Sequence, residues 1–213
     1  MRIQTLKENL MKKSLIAMSV ATLAACAFTV QAAKLEIGAP APDFTLADTH
    51  GTEHSLSDFA GKFVVLEWVN HGCPFVKKFY KVGEMQRLQE EAREKGVVWL
   101  KICSSAEGQQ GYMTNDDWNS FNENSGVAAT ATLIDEPGDV GRLFGARVTP
   151  HMYIINPDGI LIYQGAIDSI RSANSDDIAN AKNYVRAALE EAMAGEPVTD
   201  AQTEPYGCSV KYR

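Results

Sequence analysis

The run "KFVVLEWVN", residues 62–70, ends in His71-Gly72-Cys73-Pro74 and passes directly into a helical pattern. That junction constrains the fold more than any other part of the chain. An apolar run of this length, bounded by Gly61 and Gly72, reads as a strand covered on both faces. Pro74 opens a helix well, because a first-turn residue has no use for the N–H that proline lacks. Phe75, Val76, Phe79, Val82, Met85, Leu88 and Ala92 then recur every three or four residues as one apolar stripe. Gly83 is expected to kink or loosen this helix, and Gly96 to end it. Cys73 therefore stands at a strand-to-helix corner beside the first-turn N–H groups, where the positive end of the helix dipole favours a thiolate. The Gly-Cys-Pro turn predicts an exposed, functional thiol; the alternative is a buried structural cysteine.

The remaining elements follow the same periodicities. "IGAPAPDFTLADTHGTEHSLSDFAGK" reads as a polar hairpin region, "VVWLKICSS" and "ATLID" as further strands, and "DDWNSFNENSG" and "GDVGRLFGA" as short helices. "HMYIINPDGILIYQGAID" is a hairpin turning at Asn156-Pro157-Asp158-Gly159, and "DDIANAKNYVRAALEEAMAG" is a final amphipathic helix closed by Gly195. The order predicts an α/β fold: a central mixed β-sheet flanked by helices on both faces, with an N-terminal hairpin and a polar C-terminal tail.

Residues 1–32 stand apart. Lys12-Lys13, an uncharged apolar run from Ser14 to Val30, and small residues ending at Ala32 have the layout of a secretory signal, with residues 1–10 an upstream extension if Met11 is the true start. "LAAC", ending at Cys26, offers a competing lipoprotein-type cut that would leave a lipid anchor there. The apolar run is short, so no stable membrane span is expected. This divides the chain into a signal segment (1–32), one globular domain (33–195) and a tail (196–213), in a periplasmic or otherwise exported protein. Cleavage would remove Arg2, Lys7, Lys12, Lys13 and Glu8 and take the formal net charge from −7 to −10. Such an acidic domain repels nucleic acid and anionic headgroups, leaving small molecules and other proteins as partners.

Cys73, Cys103 and Cys208 remain after cleavage, an odd number, so at least one thiol stays unpaired or bridges chains. Cys103 ends an apolar strand and reads as structural. Glu67 interrupts "VVLEWV", where an isolated carboxylate is costly and its pKa should rise; behind the thiol it could accept or deliver a proton. The alternative is a solvent-facing or ion-paired glutamate. His71 and His151 fall near the expected thiol in sequence or fold, and with Cys73 and Cys208 they make a conceivable copper or zinc set. Their spacing is no recognised ligand signature, and no metal or dissociable cofactor is assigned.

An acid six residues before a helix-opening cysteine, followed by "VTPHMYII" after a later helix, resembles the thioredoxin fold. Across residues 37–213, "GAPAPDFTL", "GCPFV", "SSAEGQQGY", "TPHMYII", "GAID" and "YGCSVKY" are similar to the peroxiredoxin-like, AhpC/TSA-type redoxins of that superfamily. The resemblance implies a cis bond at Thr149-Pro150, packed against the reactive cysteine. It implies a thiol–disulfide oxidoreductase acting on protein or small-molecule thiols and disulfides. Cys73 would attack, Cys208 in a mobile tail would resolve, Glu67 would accept the proton and Pro150 would wall the substrate side, with His71, Pro74, Thr149 and His151 in support. Two departures stand out. Val76 occupies the second position of a Cys-x-x-Cys, and Asn70 occupies the place of a peroxidatic threonine, which weakens a thiol peroxidase reading. A non-catalytic envelope protein that binds a metal or a partner in the same pocket is the other rival.

Overall fold

Runs that are apolar at nearly every position, rather than at alternate ones, become the strands buried on both faces. The computed structural model describes residues 35–213, within a compact unit of Lys34–Arg213; the expected signal segment and its Cys26 alternative lie outside the described residues. Strands β3 (Val64–Trp68), β4 (Val98–Cys103) and β7 (His151–Ile155) are buried throughout. With β5 (Ala131–Ile134) and β8 (Leu161–Gly165) they form a five-stranded sheet in the order β5–β4–β3–β7–β8. The β3–β4 and β4–β5 pairs are parallel, and β7 runs antiparallel to both β3 and β8. The expected N-terminal hairpin is β1 (Thr45–Ala47) with β2 (Glu53–Ser55).

Strand alternation sends successive side chains to opposite faces. On one face Val65, Val69, Met152 and Ile154 pack against helices α1 (Pro74–Tyr80), α2 (Glu84–Glu94), α3 (Asn115–Asn124) and α5 (Tyr184–Met193). On the other, Leu66, Trp68 and Tyr153 meet Phe44 and Leu56 of the N-terminal segment and Val140 and Phe144 at α4 (Asp139–Leu143). Each such buried side chain stabilises the fold by about 1.5–3 kcal/mol relative to exposure.

The stripe expected as one helix from Cys73 to Gly96 is two. Gly83 adopts φ 78°, a left-handed conformation that suits a residue without Cβ, and the chain turns there before α2. Val82, which a continuous helix would bury, is 55% exposed. The last helix begins at Tyr184 rather than near Asp176: Asn183 caps it by accepting the N–H of Arg186, and Ser175–Asn180 forms a separate 3-10 turn.

The largest departure is the tail, expected to be mobile. Instead it is strapped along the domain. Gln164 donates its N–H to Ala201 O and accepts the N–H of Thr203. Strand β9 (Cys208–Ser209) then pairs antiparallel with β6 (Val148–Thr149), setting Cys208 opposite Thr149. Further on, Val210 donates to Arg147 O at 3.0 Å, Ala106 donates to Lys211 O at 2.9 Å, and the Tyr212 hydroxyl donates to Ala146 O at 2.7 Å. These bonds are mostly backbone bonds, so polar composition was no guide to mobility.

Candidate active site

Strand β3 gives out just before Asn70, whose side chain shapes the following turn. Its Oδ1 accepts the N–H of Gly72 at 2.8 Å, an Asx-type turn, and its Nδ2 donates to Gln110 O at 3.1 Å. The turn delivers Cys73 to the N-cap of α1, with Pro74 in the first helical turn as expected. The Cys73 thiol donates to Thr149 O at 3.1 Å, and the Thr149–Pro150 bond is cis. Cys73 is 0% exposed, so the corner expected to be open is covered. The β9 strand supplies the cover. Cys208, half-buried, packs against the cluster that contains Cys73, and both thiols are free. Burial, then the hydrogen bond and charge of Cys73, push the Cys208 thiol up to about 12, against a smaller pull from Lys211. Close approach here demands Gly207: at φ 151°, a Cβ on it would overlap the carbonyl of Thr149.

A second cluster anchors the same strand. Lys78 on α1 is 1% exposed; its Nζ donates to Asp168 Oδ2 at 2.8 Å, to Ile170 O at 3.1 Å and to the Tyr206 hydroxyl at 3.3 Å. The Tyr206 hydroxyl donates to the other oxygen of Asp168, and its ring packs edge-on against Phe75. A buried ion pair thus grips the tail two residues before Cys208. Sequence reasoning missed all three residues. Lys78 is off the apolar stripe of its helix, and Tyr206 and Asp168 entered only as letters of the quoted "YGCSVKY" and "GAID".

Glu67 is fully buried, on the same face of the sheet as Cys73. Its carboxylate accepts from the Tyr80 hydroxyl at 2.9 Å, Trp99 Nε1 at 2.8 Å and Gln89 Nε2 at 3.2 Å. Burial raises its pKa, opposed by the charge of Lys101 and by these donors. Burial also pulls Lys101 down to about 8, against the charge of Glu67. The Lys101 ammonium donates to Asn122 Oδ1 at 2.7 Å and faces the rings of Trp118, Tyr80 and Phe121. No hydrogen bond joins Glu67 to Cys73, whose proton goes to Thr149 O, so direct proton acceptance by Glu67 lacks a contact in this state.

The histidines divide. His71 lies against Trp118 and Phe121, and its Nδ1 is buried without a partner among the described residues. Burial, with the charge of Lys77, lowers its pKa. His151 sits beside Tyr153, on the face of the sheet away from Cys73, its Nδ1 3.0 Å from the Tyr153 hydroxyl and 3.4 Å from the N–H of Arg147. The expectation that both rings flank the thiol fails at His151, because the one-residue offset from Met152 turns it to the opposite face. Among the described residues no three His, Cys, Asp or Glu side chains converge for a metal ion. Cys103 is buried as expected; its thiol donates to Gly111 O at 3.5 Å, and burial raises its pKa.

His151 carries a pH prediction. Burial and the Arg147 charge bring it down to about 3 from 6.5. Below about pH 6.5 the unfolded chain takes a proton that the native ring refuses, so stability falls with pH by up to about 1.4 kcal/mol per unit until about pH 3. His151→Gln should flatten that acid limb most visibly at about pH 5–6, above the range where ordinary carboxylates dominate. Denaturant titrations across that range measure it, and an unchanged slope would exclude a buried neutral ring.

Comparison with known proteins adds four similarities. The model of the AhpC/TSA family matches residues 37–164. The thiol-disulfide oxidoreductase ResA of Geobacillus kaustophilus is 29% identical over 133 residues, covering 57% of this chain and 76% of that protein. Among solved structures, an uncharacterised conserved protein of Geobacillus kaustophilus superposes with a TM-score of 0.72 at 28% identity, covering 85% of this chain and 94% of the other. A putative thioredoxin of Neisseria meningitidis, at 18% identity and TM-score 0.51 over 72% of this chain and 92% of its own, shares the thioredoxin-like fold.

Proposed function

Because this chain belongs to the AhpC/TSA family, as a redoxin of thioredoxin-like fold, we propose that it is a thiol–disulfide oxidoreductase whose redox couple is Cys73 with Cys208. The pairing of β6 with β9 carries the reading: it sets Cys208 opposite Thr149, the residue whose carbonyl receives the Cys73 proton. Two free thiols on neighbouring segments, each fixed by backbone pairing, make a dithiol that can close to a disulfide. Cys73 is the attacking thiolate of that closure and Cys208 the second sulfur. Pro74 sets the helix opening, Asn70 holds the turn, and Thr149 with Pro150 forms the wall behind the sulfur. Glu67 supports the site through Tyr80, the last residue of α1, and His71 through its packing; His151 takes no part in the exchange. Protein or small-molecule thiols and disulfides are the substrates.

The test is peptide mapping of the protein after mild oxidation. A Cys73–Cys208 peptide, lost on reduction and regained on reoxidation, is the expected result. Cys73 left joined to an external thiol, with Cys208 unmodified, would make it a single-thiol site. Consumption of peroxide faster than exchange with disulfides would favour the peroxidase alternative.

The same reading puts the protein outside the cytoplasm, on the strength of the basic start, apolar run and small residues that end at Ala32. Intact mass of the envelope form should give a mature start at Ala33. A lipidated start at Cys26 would replace soluble release with anchoring, and an uncleaved chain would exclude export processing. Among the described residues no helix is long and apolar enough to cross a membrane.

A further inference from the structure

The two sulfurs are not equally reachable. Cys73 is 0% exposed, beneath β9, with its thiol donating to Thr149 O, whereas Cys208 keeps contact with solvent. The cover is pinned on both sides of Cys208. Before it, Tyr206 is held by the buried Lys78–Asp168 pair; after it, Val210 and Lys211 are bonded to Arg147 and Ala106. Exposing Cys73 to a partner would break this whole set at once. We propose that partner sulfurs exchange on Cys208, and that Cys73 reacts only with Cys208, so that the mixed disulfide is carried by the tail cysteine. The inference rests on the redox reading above and adds the order of events to it.

In the oxidised protein, a partner thiolate, its proton already lost to solvent, bonds to the Cys208 sulfur. The Cys73–Cys208 bond breaks, and its electron pair leaves on Cys73, which takes up a proton from solvent and, as a thiol, hydrogen-bonds to Thr149 O. A second thiolate of the partner then attacks the partner's own sulfur in the mixed disulfide, and Cys208 leaves and is protonated. The partner dithiol has become a disulfide and the protein disulfide a dithiol, with two electrons and two protons transferred. Run backward, Cys73 attacks the Cys208 sulfur of a mixed disulfide and expels the partner. The raised pKa of Cys208 fits this polarity: beside Cys73 it is a poor thiolate, so its sulfur is better suited to being attacked than to attacking. The partners that fit are small thiols and cysteines on flexible segments, which can reach a half-buried sulfur at a strand edge.

The experiment pulses the oxidised full-length protein with an equimolar amount of isotopically labelled glutathione, quenches with acid and maps the label. At least about tenfold more glutathione on Cys208 than on Cys73 is expected. Equal labelling, or label mainly on Cys73, overturns the inference and leaves the redox couple standing. Absence of a Cys73–Cys208 disulfide in the starting material overturns the redox reading, and this inference with it. A second measurement tests the cover itself in Cys208→Ser, which keeps the β6–β9 backbone pairing. There Cys73 should react with a bulky maleimide at least about 100-fold more slowly than in the same protein unfolded. Equal rates would mean that the tail does not shield it, and would overturn the inference.

Discussion

Cys73→Ser should abolish two-electron exchange between the protein and a dithiol or disulfide, a fall of at least about a thousandfold. A serine oxygen cannot join a disulfide, and Cys208 alone can exchange with one sulfur but cannot close the cycle. The fold should survive, because the hydroxyl can still donate to Thr149 O in place of the thiol and only a small volume is lost from a buried site. The assay must score the cyclic disulfide formed in a dithiol peptide, since single-sulfur exchange at Cys208 would otherwise count as activity. If a tenth of the turnover remained with Tm nearly unchanged, Cys73 would not be the acting sulfur and the proposed couple would fall.

Lys78→Met should produce the largest loss of stability, about 3–5 kcal/mol, because it leaves Asp168 as a buried charge without its counter-ion. For a domain of this size that lowers Tm by roughly 10 °C. The side chains of Lys78 and Asp168 are 0% and 2% exposed, so water cannot replace the missing partner. Pairing the change with Asp168→Leu should recover most of the loss, since removing both charges ends the desolvation cost together with the attraction. Thermal unfolding of the two single variants and the double variant measures this. Additive losses would show that the two groups are not coupled. The functional consequence follows from Tyr206: without Lys78 its hydroxyl loses one of its two partners, and β9 is held less firmly over Cys73.

The central strands and the cysteine corner were readable because each depends on a few adjacent residues. "VVLEW", "VWLKIC" and "HMYII" are apolar at nearly every position, and Pro74 opens its helix wherever the chain takes it. Boundaries that depended on longer-range packing were not readable. Gly83 could have kinked one helix or separated two, and the choice turned on whether Val82 found anything to pack against. The start of α5 depended on Asn183 serving as its cap in place of a residue nearer Asp176.

The sequence by itself determined the layered α/β arrangement, the thiol at a strand-to-helix corner and the presence of a second candidate thiol at Cys208. These follow from side-chain periodicity and turn chemistry, which act over a few residues. Only the tertiary structure decided that Cys73 is closed off, that His151 faces away from it, and that the polar tail is a fixed strand with Cys208 opposite Thr149. Those outcomes come from backbone hydrogen bonds and a buried ion pair between residues far apart in the chain. Peptide groups are the same in every residue, and Lys78 and Asp168 become a pair only once folding has removed both from water, so local composition carries no mark of either.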